Sequence, residues 1–177
     1  MEIIIIILLI LLNGLFAMSE IALISARRSN LTARAKQGNK AAAKALQLAQ
    51  DPDRFLSTIQ IGITLIGILT GIYSGEALAG RFGAMLASLG MPLRTAVPVA
   101  QILIVIVVTY LTIVFGELVP KRLAMKRAES LALGIANLVS LISKLFAPIV
   151  WALTASTNLV LRLCGVDPDA EDEEVSE

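Results

Sequence analysis

Three stretches of this 177-residue chain are long, apolar and almost free of charge, and they decide what it can fold into. Ile3 to Ala26 carries one charge, Glu20, in 24 positions. Phe55 to Gly75 has 21 residues and Thr95 to Gly116 has 22, with no charge in either. At ~1.5 Å per residue each can reach about 30 Å as a helix, the thickness of the hydrocarbon core of a bilayer. Backbone in lipid has to satisfy its own hydrogen bonds, so each window is expected to be a membrane-crossing helix. The composition agrees: 56% of residues are hydrophobic, 16% are charged and the mean hydropathy is +0.81. A soluble domain carries nearer 25% charged residues. A signal peptide is a poorer reading of the first window, because no basic residue precedes it, the apolar run is too long, and the arginines follow it.

A fourth region differs. Ser130 to Ser143 is uncharged for 14 residues, Lys144 interrupts, and Leu145 to Leu161 runs 17 more with Pro148 inside. Proline favours a break, so two shorter juxtamembrane helices, about 130–147 and 149–163, are expected at the interface in place of a fourth crossing. Orientation follows from the basic residues. Arg27, Arg28, Arg34, Lys36, Lys40, Lys44 and Arg54 fill the first loop, and Lys121, Arg122, Lys126 and Arg127 follow the third span. The loop between spans two and three holds only Arg81 and Arg94. The positive-inside rule then sets the N-terminus outside and the first loop in the cytoplasm, and three crossings leave the C-terminus inside.

The expected architecture is all-α and integral to the membrane. It has a transmembrane domain over 1–166, with spans at about 3–26, 55–75 and 95–117 and a belt of juxtamembrane helices. The Ala- and Lys-rich loop 31–50 reads as one such belt helix, ended by Asp51-Pro52. A short outer helix is expected between Ser74 and Leu89, carrying Glu76 and Arg81 and closed by Gly90-Met91-Pro92. Seven of the 14 acidic residues crowd into Asp167 to Glu177, which reads as an acidic linker and leaves an excess of eight positive charges before it. That excess lies beside apolar spans and not on a basic face with aromatics, so nucleic acid is not an expected partner. Cys164 is the only cysteine and histidine is absent. An intrachain disulfide and a histidine base are thereby excluded, and with no credible nucleophile–base pair an enzyme is not expected.

Ionisable groups inside spans are costly and usually face a bundle interior or a water-filled cavity. Glu20, Glu117 and Glu76 are the candidates. Glu117 lies in Phe115-Gly-Glu-Leu-Val-Pro-Lys121, where Pro120 lacks the N–H that would bond the Gly116 carbonyl four residues earlier. A freed carbonyl beside a carboxylate suits a hard cation such as Mg²⁺, Ca²⁺ or Na⁺. The plainer reading is a proline-terminated helix with Glu117 paired to Lys121. In the first span Ser19 adjoins Glu20. Its hydroxyl is a possible ligand, although such serines usually bond back to their own helix, and Glu20 is expected to balance Arg27, Arg28 or another cation. In the second span Gly67, Gly71 and Gly75 follow small-xxx-small spacing, and Thr64 shares their face. These residues read either as helix packing or as a source of oxygens for the site of Glu117.

At these residues the chain resembles the transmembrane domain of the CorC/CNNM family of magnesium transport proteins, in its bacterial, hemolysin-like branch. Three motifs carry the resemblance, in order and across nearly the whole chain: Asn13-Gly-Leu-Phe-Ala-Met-Ser-Glu-Ile-Ala-Leu-Ile-Ser-Ala-Arg-Arg28, Thr58-Ile-Gln-Ile-Gly-Ile-Thr-Leu-Ile-Gly67 and Phe115-Gly-Glu-Leu-Val-Pro-Lys121. The last is the most specific. The resemblance implies a homodimer in the bacterial plasma membrane, each subunit with three transmembrane helices and a juxtamembrane belt. It also implies Mg²⁺ efflux coupled to Na⁺, through an ion site drawn by motif position from Ser19, Thr64, Gly67, Gly116 and Glu117. Many relatives carry asparagines where this chain has Ile63 and Gly67, so coordination here is expected to differ in detail. The resemblance further implies a longer protein, with cytoplasmic CBS domains that bind adenine nucleotide following the acidic linker.

Two function classes follow. One is a Mg²⁺ transporter working by alternating access. The other is a Mg²⁺-sensing regulator or scaffold that binds the ion and moves none. A pore-forming toxin fits least, because no secreted amphipathic segment is present in the sequence.

Overall fold

The computed structural model describes residues 2–165, without the side chains of residues 76 and 77. The acidic linker 167–177 and the carboxylate of Glu76 lie outside the described residues. Among the described residues there is no strand. The order is α1 (Glu2–Ser25), α2 (Arg28–Lys36), α3 (Lys40–Gln50), α4 (Pro52–Ser88), α5 (Leu93–Ile113), a π-turn (Val114–Leu118), α6 (Val119–Lys126) and α7 (Ala128–Leu163).

Three expected boundaries are corrected. The belt helix at 31–50 is two helices, because Gly38 takes a left-handed φ of +87° that ends α2. Asn39 then starts α3, its side-chain oxygen accepting the Ala42 N–H at 3.0 Å. The second span and the outer helix at 74–89 are one helix, α4, with no break between them. Asp51 caps its start by accepting the Arg54 N–H at 3.3 Å, Pro52 sits in its first turn, and Gly90 at φ +100° follows its end. Finally, α7 runs unbroken through Pro148. A proline removes a single N–H, and a long helix flanked by intact turns absorbs that loss.

By length and composition four helices could cross a membrane: α1, α4, the run Leu93–Lys126, and α7. They are packed unequally. A core gathers at the end where α1 finishes, joining Leu23 of α1 and Ala26 just after it, Leu31 of α2, Ala45 of α3, Phe55 and Ile59 of α4, and Ile135 and Val139 of α7. The first half of α7 buries Ala132, Ile135, Ala136, Val139 and Ser143, one stripe at helical spacing, whereas the half after Val150 has no buried residue. That first half thus packs against α1, α3 and α4.

Lipid gives helices no hydrophobic reason to associate, so close backbone approach has to do it. The glycines that serve this are not the expected run. A Cβ on Gly67, Gly71 or Gly75 would meet nothing within 4 Å. On Gly62 it would run into the Phe16 ring, on Gly83 into Val97, and on Gly14 into the Phe115 carbonyl and Pro120. These three seat α1 on α4, α4 on α5, and α1 on the π-turn. Outward faces such as Ile102, Ile106 and Tyr110 of α5 stay more than half exposed, as lipid-facing side chains would.

Candidate functional site

The third span does not end at Pro120. It widens. The Val119 N–H bonds to the Val114 carbonyl, five residues back, which makes Val114–Leu118 a π-turn and carries the helix past the proline into α6. The extra residue per turn relieves the clash of the Pro120 ring with the carbonyl behind it, and such π-turns recur at functional sites. The carbonyl of Gly116, expected to be freed, is indeed without its α-helical partner. Across the seam Asn13 Nδ2 of α1 donates to it at 2.9 Å in a buried hydrogen bond. Gly116 is needed for that approach, since a Cβ there would lie 3.2 Å from Asn13 Nδ2 and from the Ile10 carbonyl.

Asn13 is the residue that the sequence reading left out of the site. Its amide was one signal, being a strongly polar group in an apolar span, and Gly14 beside it was another. The second face of the amide has no protein partner: Asn13 Oδ1 is buried and accepts no hydrogen bond among the described residues.

About two turns beyond Asn13 along α1, three charged groups meet. Lys121 Nζ lies 3.0 Å from Glu117 Oε1 and 3.4 Å from Glu20 Oε2. Glu20 therefore pairs across α1 and α6 with Lys121, and not with Arg27 or Arg28. The pairing of Glu117 with Lys121 at i, i+4 is the plainer arrangement expected. Two carboxylates share one ammonium, so the cluster holds a net negative charge beside buried neutral oxygens. About half of the Glu117 side chain is exposed, against 23% for Glu20.

The other expected ligands lie elsewhere. Ser19 is buried, and its hydroxyl donates to the Leu15 carbonyl at 2.7 Å, the bond back to its own helix. Six residues from Asn13, it sits about 120° away around α1. Gly67 lines a cavity of about 170 Å³ between α4 and α5, together with Thr70, Ser74, Thr109 and Thr112. Thr112 Oγ1 there is buried without a hydrogen-bond partner. Thr64 lines a separate groove of about 630 Å³ toward α7. Gly116 and Glu117 are thus brought together with Asn13, Glu20 and Lys121, while Ser19, Thr64 and Gly67 are not in that cluster. Among the described residues no three Asp, Glu, His or Cys side chains gather as a metal-holding group. The seam presents one or two carboxylates with amide and carbonyl oxygens, the oxygen types that hard cations take as ligands.

The family described as the cyclin M transmembrane N-terminal domain matches residues 4–177. Among individual proteins, the chain is 46% identical over 166 residues to the UPF0053 protein sll0260 of Synechocystis, covering 94% of this chain and 37% of that protein. It is 34% identical to the UPF0053 protein YhdT of Bacillus subtilis, over 92% of this chain and 35% of the relative. It is 30% identical to a polyamine export protein of Haemophilus influenzae, over 96% and 39%. The chain therefore spans a little over a third of the length of these relatives. With its long apolar helices it is a multi-pass membrane protein, and it belongs to the CNNM transmembrane domain family.

Proposed function

We propose that this chain is the membrane domain of a Mg²⁺ transporter, exporting the ion against entry of Na⁺ by alternating access in the plasma membrane of a bacterium. One observation carries the reading: the Glu20, Lys121 and Glu117 cluster set beside a proline-driven π-turn whose Gly116 carbonyl faces a buried asparagine. Mg²⁺ takes oxygen ligands in near-octahedral geometry and gives up water reluctantly. Glu117 supplies charge where the ion enters, and the Asn13 and Gly116 oxygens replace part of its water. Ser19, Thr64 and Gly67 join only if the helices move or a second protomer docks, and both steps belong to a homodimer that alternates access. The N-terminus is outside, the basic α2 and α3 lie in the cytoplasm, and CBS domains of a longer chain adjust the cycle.

A second reading rests on a specific geometry. An ammonium already sits between the two carboxylates, as Lys121 Nζ, and one relative is named as a polyamine exporter. A primary-amine polycation would find the same pair of acids.

Flux into proteoliposomes separates these readings. Mg²⁺ uptake by the wild-type chain is expected to fall at least tenfold in Glu117→Gln. Unchanged flux in that variant would remove Glu117 from the path. Binding of Mg²⁺ without flux would favour the sensor class, and spermidine movement without Mg²⁺ movement would favour the polyamine reading.

A further inference from the structure

At the start of α4 three cavities run into one another along the seam with α7. The first, of about 360 Å³, is lined by Arg54, Ser140, Ser143, Lys144, Gln47 and Asp51. The second, of about 440 Å³, shares Asp51 and Arg54 with it and adds Asp53, Val150 and Trp151. The third, of about 630 Å³, shares Asp53, Ser57 and Thr154 with the second and continues between Ile61, Leu65 and Ile68 of α4 and Leu153 of α7. Polar groups crowd one end, aliphatic ones line the other, and a tryptophan of the kind that seeks the headgroup level sits between them.

The polar end is built for a ligand. Ser143 is 7% exposed, lines the first cavity, and its Oγ has no hydrogen-bond partner among the described residues. Burying a hydroxyl unpaired is costly, so an oxygen that accepts from it is wanted there. Arg54 and Lys144 flank the same space, and neither side chain is in an ion pair among the described residues. Two cations and a hydroxyl match a phosphodiester. Two carboxylates answer them. Asp51 is committed to capping α4, and Asp53 lies one cavity further along. The four charges sum to zero, which suits a headgroup carrying phosphate and ammonium together better than a bare anion.

We propose that this seam binds one zwitterionic, amine-bearing glycerophospholipid per protomer. The phosphate lies between Arg54, Lys144 and Ser143, the amine lies toward Asp53, and an acyl chain follows the groove beside Leu65, Ile68 and Leu153. Polar pockets between membrane helices hold lipid headgroups, and the aliphatic continuation gives this one a place for the tail. The site is separate from the Glu117 seam and does not depend on which cation is moved.

The test is native mass spectrometry of the full chain released from detergent, after incubation with phosphatidylethanolamine, phosphatidylglycerol or diacylglycerol. Phosphatidylethanolamine retention is expected to exceed that of the other two several-fold. It should fall at least tenfold in the double variant Arg54→Gln, Lys144→Gln. It should stay unchanged in Lys36→Gln, Lys40→Gln, which removes the same charge from α2 and α3. Leu65→Trp, which fills the groove and leaves the polar end intact, should lower retention on its own. Equal retention of phosphatidylglycerol or diacylglycerol would overturn the proposal. So would a double variant that still holds lipid, or displacement of the lipid by millimolar inorganic phosphate.

Discussion

A methyl group added to Gly62 would be driven into the ring of Phe16, itself buried. Overpacking of that kind costs about 1–3 kcal/mol, so Gly62→Ala should lower the thermal unfolding temperature of the purified protein, and Phe16→Leu should restore part of the loss. Gly71→Ala, which meets nothing within 4 Å, should be neutral or stabilising by up to about 1 kcal/mol through helix propensity. The opposite order would mean that the Gly67 to Gly75 face packs on something outside the protomer. Spacing alone could not separate these glycines. The small-xxx-small pattern marks Gly67, Gly71 and Gly75, yet the working contacts are set by which bulky side chain or carbonyl faces each glycine across the seam, and that is a tertiary fact. The charged cluster was half legible for the same reason. Glu117 and Lys121 are neighbours on one helix and readable as i, i+4. The link from Lys121 to Glu20 spans two helices far apart in sequence.

Among the elements, the third span shows how a proline is accommodated. Pro120 points to a Gly116 carbonyl freed from its α-helical bond, but an ended helix and a π-turn satisfy that clue equally well. The structure takes the π-turn because Asn13 is at hand to cap the carbonyl. Pro120→Ala returns an N–H at position 120, so the π-turn is expected to tighten into α-helix and rotate Glu117 by up to about 100°, one residue's worth of turn. The variant should unfold at the same or a higher temperature and lose Mg²⁺ flux at least fivefold. Full flux with raised stability would mean that the π-turn is only a scar of the proline. Pro148 in α7 had no such capping partner in view, and the sequence reading broke the helix there. The chain keeps it whole because losing one hydrogen bond is less costly than ending a helix and leaving several groups unpaired. Gly38-Asn39 was the readable signal passed over in the first loop, since Ala and Lys on both sides favour helix without showing where it stops.

For the whole molecule the number of crossings decides which side each end occupies. Four helices have the length to cross, yet the first half of α7 buries its stripe against α3 and the ends of α1 and α4. Three crossings are therefore expected, with α7 in the inner belt. Cys164 is exposed and is the only cysteine, which makes the chain its own reporter. A membrane-impermeant maleimide added to intact cells should leave Cys164 unlabelled and should label a cysteine introduced at Gly90. Labelling of Cys164 from outside would make α7 a fourth span. The uncharged windows fall within α1, α4 and the run Leu93–Lys126, three of the four described helices with the length and composition to cross, because the absence of charge over some twenty residues is a property that no tertiary contact alters. How far each helix continues beyond its window was not written there. At 37 residues α4 is roughly 55 Å long, nearly twice the hydrocarbon thickness. It has to lean, or stand clear of the lipid, and its lean is tied to the thickness of the bilayer around it. The C-terminal end is seated on α5 where Gly83 meets Val97, and the N-terminal end follows directly on α3 at Asp51. Where it leans, a thinner membrane would change its angle and load both attachments, so the spacing of α3 and α5 is tied to fatty-acid length through one rigid rod.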